Sequence, residues 1–265
     1  MDGLAPGISD LQQSLLNVYF NEGIKGTYEP RAALFDLEPM VLDACEAGPL
    51  GHLYQPDNIL SGIGGAGNNW SKGYYTKGAD MIEPCLDIIR LEAECADRMQ
   101  GLQLCHSLGG GTGSGFGSLL TQKLNELFPK TMVQTFSIFP STKVSDTITE
   151  PYNAVLSMQY LVDEATSTVV LDNEALFDIC KRKLKIDKPT YGNINRILAE
   201  SMSGTTCSMR FPGQINSTMR KLATNLIPFP RIKFLMSSFA PIVPEEEIKY
   251  INYDVKEMLT SMIKK

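Results

Sequence analysis

The sequence predicts an α/β fold, a doubly wound, mostly parallel sheet with helices on both faces. Three observations predict it. Short apolar runs alternate with longer segments in which apolar residues recur at three and four spacing. A glycine-rich turn follows one of the short runs and opens one of the longer ones, the kind of junction at which open parallel sheets hold ligands. The chain has 265 residues, 43% of them hydrophobic, enough to bury a large core in one domain or slightly more.

Taken in order, Asp10 to Phe20 reads as a helix and Ala32 to Phe35 as a short strand that delivers Asp36. Lys77 to Met99 has helical spacing throughout, but Pro84 lies inside it. An interior proline removes one hydrogen bond and costs about 3 kcal/mol, so a kink or a weak point is expected there. Leu102 to Cys105 is the next strand. Ser114 to Leu127 is a helix with Phe116, Leu119, Leu120, Leu124 and Leu127 on one face. Strand and helix then alternate: Met132 to Phe139, Tyr152 to Glu164, Thr168 to Leu171, Asn173 to Arg182. From Tyr191 a helix carrying Ile194, Ile197, Leu198 and Met202 runs toward an expected turn at Ser203-Gly204-Thr205-Thr206. Beyond Arg210 come Pro212, Pro228 and Pro230, and then Ile232 to Met236, whose alternation reads as a strand of a second domain.

Composition narrows the function classes. The net charge of −6 weighs against broad nucleic-acid binding and offers no basic patch to a membrane surface. Met1 to Ser9 has no charged start followed by an apolar run, and no apolar stretch approaches the roughly 18–20 residues of a membrane span. Cys45, Cys85, Cys95, Cys105, Cys180 and Cys207 are dispersed without a C-x-x-C pair, and only two histidines accompany them. They read as free thiols of a reducing compartment and not as a metal site.

The most informative segment is His106-Ser107-Leu108-Gly109-Gly110-Gly111-Thr112-Gly113-Ser114-Gly115. Glycines let several backbone N–H groups approach an anion, and the helix that follows adds the positive end of its dipole. No Gly-Lys-Ser/Thr follows, so it is not a Walker loop. Phe116 stands three residues after Gly113, and Ser118 three after Gly115, so the dinucleotide G-x-G-x-x-G fails as well. On residues alone the segment is either an anion cradle or a tight turn.

GGGTGSG after a strand resembles the signature of the tubulin family, in its β-like branch. Supporting segments are Pro30-Arg31-Ala32, Asp36-Leu37-Glu38-Pro39, Gly65-Ala66-Gly67-Asn68-Asn69-Trp70, Val144-Ser145-Asp146-Thr147, Glu150-Pro151-Tyr152-Asn153, Asp172-Asn173-Glu174-Ala175-Leu176, Pro189-Thr190-Tyr191-Gly192 and Arg210-Phe211-Pro212-Gly213-Gln214. The likeness runs from about Ser9 to the end and weakens after Pro241.

The resemblance implies GTP or GDP as ligand, with Mg²⁺. Ser107, Gly111, Thr112 and Gly113 match phosphate contacts, and Gly109 and Gly110 shape the loop. Glu38 matches an acidic residue near the metal, with Asp36 beside it; alone, an Asp-x-Glu after a strand is more often a solvated loop. Asn68 matches a position facing the terminal phosphate, against an ordinary capping role for Asn68 and Asn69. Asn173 and Asn195 match base-reading amides and Tyr191 a stacking ring; without the family, Tyr191 is core packing and Asn195 an exposed polar residue. Asp146 and Glu150 fall where ribose contacts occur.

Resemblance also implies partners, an α-like tubulin subunit and microtubule lattice neighbours, with no nucleic acid and no membrane, in the cytoplasm and its cytoskeleton. Hydrolysis in this family is completed between subunits by an acid on a partner's loop. The corresponding segment here is Gly213 to Lys221. Lys221 stands where the α-like branch has glutamate, and Thr218 replaces the usual aspartate. The expected organisation is a nucleotide domain over 1–190, a connecting helix over 191–210 and an incomplete second α/β domain over 211–265, whose Val255 to Lys265 tracks the start of a helix.

Two departures stand out. The family's first strand and its Gly-Gln-Cys-Gly loop are absent before Ser9, and in the family that strand lies between those ending at Asp36 and Cys105. Its loss is expected to leave two rows of unpaired backbone groups or to force those strands together. Pro244-Glu245-Glu246-Glu247 replaces a typically small, polar and basic lateral segment. The expected protein is a GTP-binding structural constituent of microtubules in truncated or divergent form. The competing expectation is a remnant that contacts tubulin or chaperones without polymerising.

Overall fold

A computed structural model of the chain describes residues 7, 10–23, 26–141, 145, 147–213, 217–244 and 254–263. Asp146, Gln214 to Asn216 and Glu245 to Glu247 lie outside the described residues.

The elements, in chain order, begin with α1 (Asp10–Leu16), β1 (Phe20–Glu22), β2 (Tyr28–Pro30), β3 (Leu34–Asp36), α2 (Pro39–Glu46) and β4 (Ile59–Ser61). They continue with α3 (Lys77–Glu94), β5 (Gly101–Ser107), α4 (Gly117–Leu127), β6 (Met132–Phe139), α5 (Glu150–Asp163), β7 (Ser167–Asp172) and α6 (Asn173–Arg182). The last are α7 (Tyr191–Arg210), α8 (Met219–Leu226), β8 (Phe234–Met236) and α9 (Val255–Ile263).

The main sheet is parallel, in the order β5-β6-β7-β8. Residues of β6 from Val133 to Ser137 are buried, as expected of a strand covered on both faces. The largest core cluster joins α3 and α4 to the sheet through Ile82, Cys85, Leu86, Leu119, Leu120, Leu124 and Val133. On the other face Phe136, Val169 and Leu171 meet Leu198 and Met202 of α7.

Several expectations need correction. The first helix ends at Leu16 and Phe20 already belongs to a strand. The Lys77 helix stops at Glu94, yet it runs through Pro84, which faces solvent, so water can take the carbonyl that the proline leaves unpaired. The turn expected at Ser203 to Thr206 is helical. There Thr205 Oγ1 donates to the Ser201 carbonyl at 2.9 Å and Arg210 Nη2 donates to Ser203 Oγ at 2.7 Å, so the polar side chains are satisfied along the helix. In the Gly213 to Lys221 segment, Met219 to Lys221 open α8. Thr218 caps that helix by accepting from the Lys221 backbone N–H at 3.3 Å, a role open to threonine as to aspartate.

β8 pairs with β7, Thr168 opposite Phe234, instead of starting a separate sheet. A three-residue strand needs a partner for its backbone groups, and the edge of β7 supplies one.

The strand ending at Asp36 and the strand ending at Ser107 neither pair nor close up. β3 pairs in parallel with β4, Leu34 opposite Ile59, in a sheet of two strands separate from the main one. β1 and β2 form an antiparallel pair of their own. Side chains carry the attachment that a ladder does not. Asn21 Nδ2 donates to Glu92 Oε2 at 3.3 Å, Asn58 Nδ2 to Glu92 Oε1 at 2.7 Å, and Tyr19 OH to Gln103 Oε1 at 3.1 Å. Between β3 and β5 lies a cleft of about 950 Å³.

Candidate functional site

The candidate site forms where the carboxyl ends of β3 and β5 reach the mouth of that cleft. After Ser107 the chain bends through Leu108, Gly109 and Gly110, and the helical run starts at Gly111 as a wide π-turn, Thr112–Phe116, before α4 continues it. A second π-turn, Lys72–Thr76, precedes α3. The two wide turns interlock at glycines. A Cβ on Gly73 would run into the Gly111 carbonyl oxygen, and one on Gly115 into the Trp70 carbonyl oxygen. Such close backbone approach is the reason these positions carry no side chain.

Asn153, on the first turns of α5, ties the loops together. Its amide donates to the Asn68 carbonyl at 2.9 Å and to the Gly109 carbonyl at 2.7 Å, while its Oδ1 accepts from the Trp70 N–H at 3.0 Å. The residue is 3% exposed and three of its hydrogen-bonding sites are used. Asn68 adopts φ +52, the left-handed region that asparagine tolerates, and Thr149 Oγ1 donates to the same Asn68 carbonyl at 2.9 Å. Asn69 takes the local role, its Oδ1 accepting from the Ser71 N–H at 2.9 Å.

His106 anchors the loop from below. A carbonyl only accepts, so the 2.7 Å contact with the Gly113 oxygen places the proton on Nδ1. Nε2 then accepts from Ser137 Oγ at 2.8 Å. Burial pushes the imidazole below its ordinary pKa of 6.5, partly offset by the bond to Gly113. Glu150, at the start of α5, accepts from Ser145 Oγ at 2.6 Å and lies against Gly109.

The cleft lining brings together Asp36, Glu38, Asn68, Ser107, Gly111, Thr112 and Gly113. Glu38 is the residue before α2; its side chain is exposed and comes against Gly65. The first N–H groups of the Gly111 helix have no acceptor within the helix, and a Cβ at Gly113 would strike the Ser107 carbonyl. The geometry is therefore an N-terminal anion cradle with a carboxylate at its rim. Among the described residues no group of three or more His, Cys, Asp or Glu could hold a metal ion by itself. An ion such as Mg²⁺, which takes one or two carboxylates with phosphate oxygens and water, matches Glu38 and Asp36 better than a protein cage would.

Asn173, Tyr191 and Asn195 stand outside the cleft lining. Asn173 opens α6 directly after β7, two strand spacings or roughly 10 Å from β5 along the same rim. Tyr191 is 60% exposed and meets Phe177 edge-on, ring centroids 5.9 Å apart. Asn195 lies one turn further along α7, exposed. Lys221 is exposed on α8. Nothing local in the sequence marks Asn153 or His106 for these roles: Asn153 reaches back more than eighty positions to Asn68.

Comparison with known proteins gives two consistent results. The model of the Tubulin/FtsZ family, GTPase domain, matches residues 5–181. A tubulin beta-6 chain of Gossypium hirsutum is 53% identical over 256 residues, 97% of this chain and 57% of the relative. A tubulin beta chain of Cicer arietinum is 52% identical over 259 residues, 98% of this chain and 58% of the relative. The chain thus spans less than three fifths of the length of these relatives, while the likeness itself covers nearly all of it.

Two outcomes test the site. Asn153→Ala leaves the Asn68 and Gly109 carbonyls and the Trp70 N–H unmet and is expected to cost about 1–3 kcal/mol, read as a drop in the chemical unfolding midpoint. For His106, the unfolded imidazole takes up a proton first as pH falls below 6.5, because the folded pKa is lower. Its contribution is complete above 6.5 and is lost as pH falls toward the folded value. Thermal midpoints across pH 7.5 to 5.5 are therefore expected to fall less steeply in His106→Gln than in the parent chain.

Proposed function

We propose that this chain, which belongs to the Tubulin/FtsZ family, is a β-tubulin-like GTP-binding structural subunit that pairs with an α-like subunit in a cytoplasmic, cytoskeletal polymer. The observation that carries the reading is the glycine cradle at the end of β5, faced by Glu38 and held by Asn153. Nucleotide phosphates take the N–H groups of Gly111, Thr112 and Gly113 with the Ser107 hydroxyl beside them. Glu38, with Asp36, would hold Mg²⁺, which would supply neutralisation of the phosphate charge.

Asn173 and Asn195 read the guanine edge, each amide offering a donor and an acceptor. Tyr191 stacks on the ring from its exposed side. The rim of a single sheet sets the cradle and Asn173 at separate stations, which is the layout an extended nucleotide requires. Glu150 lies beside Gly109 and is assigned to the ribose side with Asp146. Lys221 stands where the α-like branch has glutamate, so this chain does not supply the water-activating acid to a neighbour's site, and the acid for its own site comes from the α-like partner subunit.

The organisation that goes with this reading is a nucleotide domain over 1–190, the α7 connection over 191–210 and a further unit over 211–265. The unbridged cleft between β3 and β5 favours a second reading, a tubulin-like chain that contacts tubulin or chaperones without polymerising.

Competition titration tests the nucleotide assignment: GTP is expected to displace ATP, and Asn195→Ala to erode that preference by about 1–3 kcal/mol. Equal affinity of the parent chain for ATP and GTP refutes the base-reading residues. Sedimentation with an α-like subunit separates the two readings. GTP-dependent pelleting of this chain is the outcome of the first, and retention in the supernatant as a bound complex is that of the second.

A further inference from the structure

Behind the glycine loop the parallel sheet carries a line of hydroxyls at its most buried place. Ser137, Thr135 and Thr168 are fully buried. Ser137 Oγ lies 3.2 Å from Thr135 Oγ1, and Thr135 Oγ1 lies 3.0 Å from Thr168 Oγ1. The line ends at His106, whose Nε2 is 2.8 Å from Ser137 Oγ and whose Nδ1–H donates to the Gly113 carbonyl. One imidazole thus joins a buried hydroxyl chain to the backbone of the cradle. A hydroxyl both donates and accepts, so the chain has two settings. With His106 neutral, Nε2 accepts from Ser137. With His106 protonated, Nε2–H donates to Ser137 Oγ, whose hydrogen turns to Thr135 Oγ1 while that of Thr135 turns to Thr168 Oγ1. Every heavy atom keeps its place and only hydrogens rotate. A buried imidazolium is costly when its N–H groups are unmet, and here both have an acceptor.

The surroundings of the ring supply no counter-charge of their own. From β6 it meets Ser137, from the wide turn Gly113, and from α4 Gly117, where a Cβ would strike Nδ1. Its strand neighbours Cys105 and Ser107 project to the opposite face of β5. The charged residues Lys123 and Glu126 lie further along α4 and pair with each other at 2.7 Å. Arg31, Asp36, Glu38, Glu92 and Arg98 share the cleft lining with His106, but burial and the Gly113 bond account for its lowered pKa without a contribution from any of them. The negative charge that this imidazole can gain is therefore that of a ligand on the N–H groups of Gly111 to Gly113, and a nucleotide polyphosphate remains net negative with its Mg²⁺ bound.

We propose that His106 is a positioning residue whose protonation is coupled to nucleotide binding: phosphates in the cradle favour the imidazolium, and the imidazolium, bonded to Gly113, strengthens the hold on phosphates. The coupling rests on the nucleotide reading of the cradle and adds to it a regulation by pH. Linkage is reciprocal, so the factor by which the nucleotide raises proton affinity is the factor by which the proton raises nucleotide affinity. Affinity is constant above the His106 pKa of the bound state, rises as pH falls from there to the pKa of the free state, and is constant again below it.

The chain has two histidines, His106 and the exposed His52, so labelling histidine with ¹³C gives one signal for each, told apart by His52→Gln. Both are titrated by NMR in the full chain alone, with saturating GTP and Mg²⁺, and with guanosine, which carries base and sugar but no phosphate. The His106 pKa is expected to rise with GTP and not with guanosine, while that of His52 stays. Calorimetric GTP affinity is compared at pH 7.5 and 5.5 in the parent and in His106→Gln, which share the titration of the nucleotide's own phosphates. The parent is expected to gain roughly threefold or more on acidification relative to the variant. Ser137→Ala, which keeps the imidazole and removes the acceptor of its Nε2–H, is expected to move that gain to lower pH. A His106 titration that is the same with and without GTP, or that shifts equally with guanosine, overturns the proposal while GTP binding itself stands. Identical pH profiles of the parent and His106→Gln overturn it as well. Absence of GTP binding at every pH refutes the nucleotide reading, and the coupling falls with it.

Discussion

The carboxamide of Asn153 is the interaction on which the site depends. Three bonds from one buried side chain hold the Asn68 carbonyl, the Gly109 carbonyl and the Trp70 N–H in fixed relation. Those groups belong to two loops of high glycine content that have few side chains of their own with which to define a shape. A glycine-rich loop pays the largest entropic cost on ordering, so the order has to come from outside it. Asn153 supplies it from the α5 side and His106 from the sheet side, through Gly113. The interlocked π-turns supply the rest, since the backbones at Gly73 and Gly115 approach too closely to slide.

The molecule solves its second problem less completely. A parallel sheet satisfies its backbone only by lateral pairing, and here the pairing is interrupted between β3 and β5. Tyr19 and Asn21, at the β1-β2 pair, and Asn58, just before β4, bond to Gln103 of β5 and to Glu92 of α3, with Glu92 receiving two of those bonds. Asp36 and Glu38 line the mouth with Gly111 although the β3-β4 pair and the main sheet are separate. Bonds of this kind position a group. They do not remove the cost of an exposed edge.

Much of the site was legible from the chain. Glycines at 109, 110, 111, 113 and 115 announce a backbone that must come close to something, and the run of Leu119, Leu120 and Leu124 shows which side of the helix is buried, although the helical run starts at Gly111 and not at Ser114. Met132 to Phe139 and Asn173 to Arg182 have the bounds that their patterns suggested. The three-residue strands β1, β2 and β4 had no pattern to read, because a period of two needs more than three positions. Ser203 to Thr206 misled because glycine and hydroxyl residues favour turns in isolation, whereas within α7 their hydroxyls bond back to the helix carbonyls.

By itself the sequence determined the α/β class, the glycine-rich turn between a strand and a helix, and the family, since each depends on residue types at short spacing. Only the tertiary structure decided that β8 joins the main sheet, that β3 takes β4 as its partner, and that Asn153 and His106 hold the loops. The physical reason is common to all of these. A hydrogen bond between groups dozens of positions apart leaves no periodic trace in the chain, and a strand edge can pair with any edge that packing brings beside it.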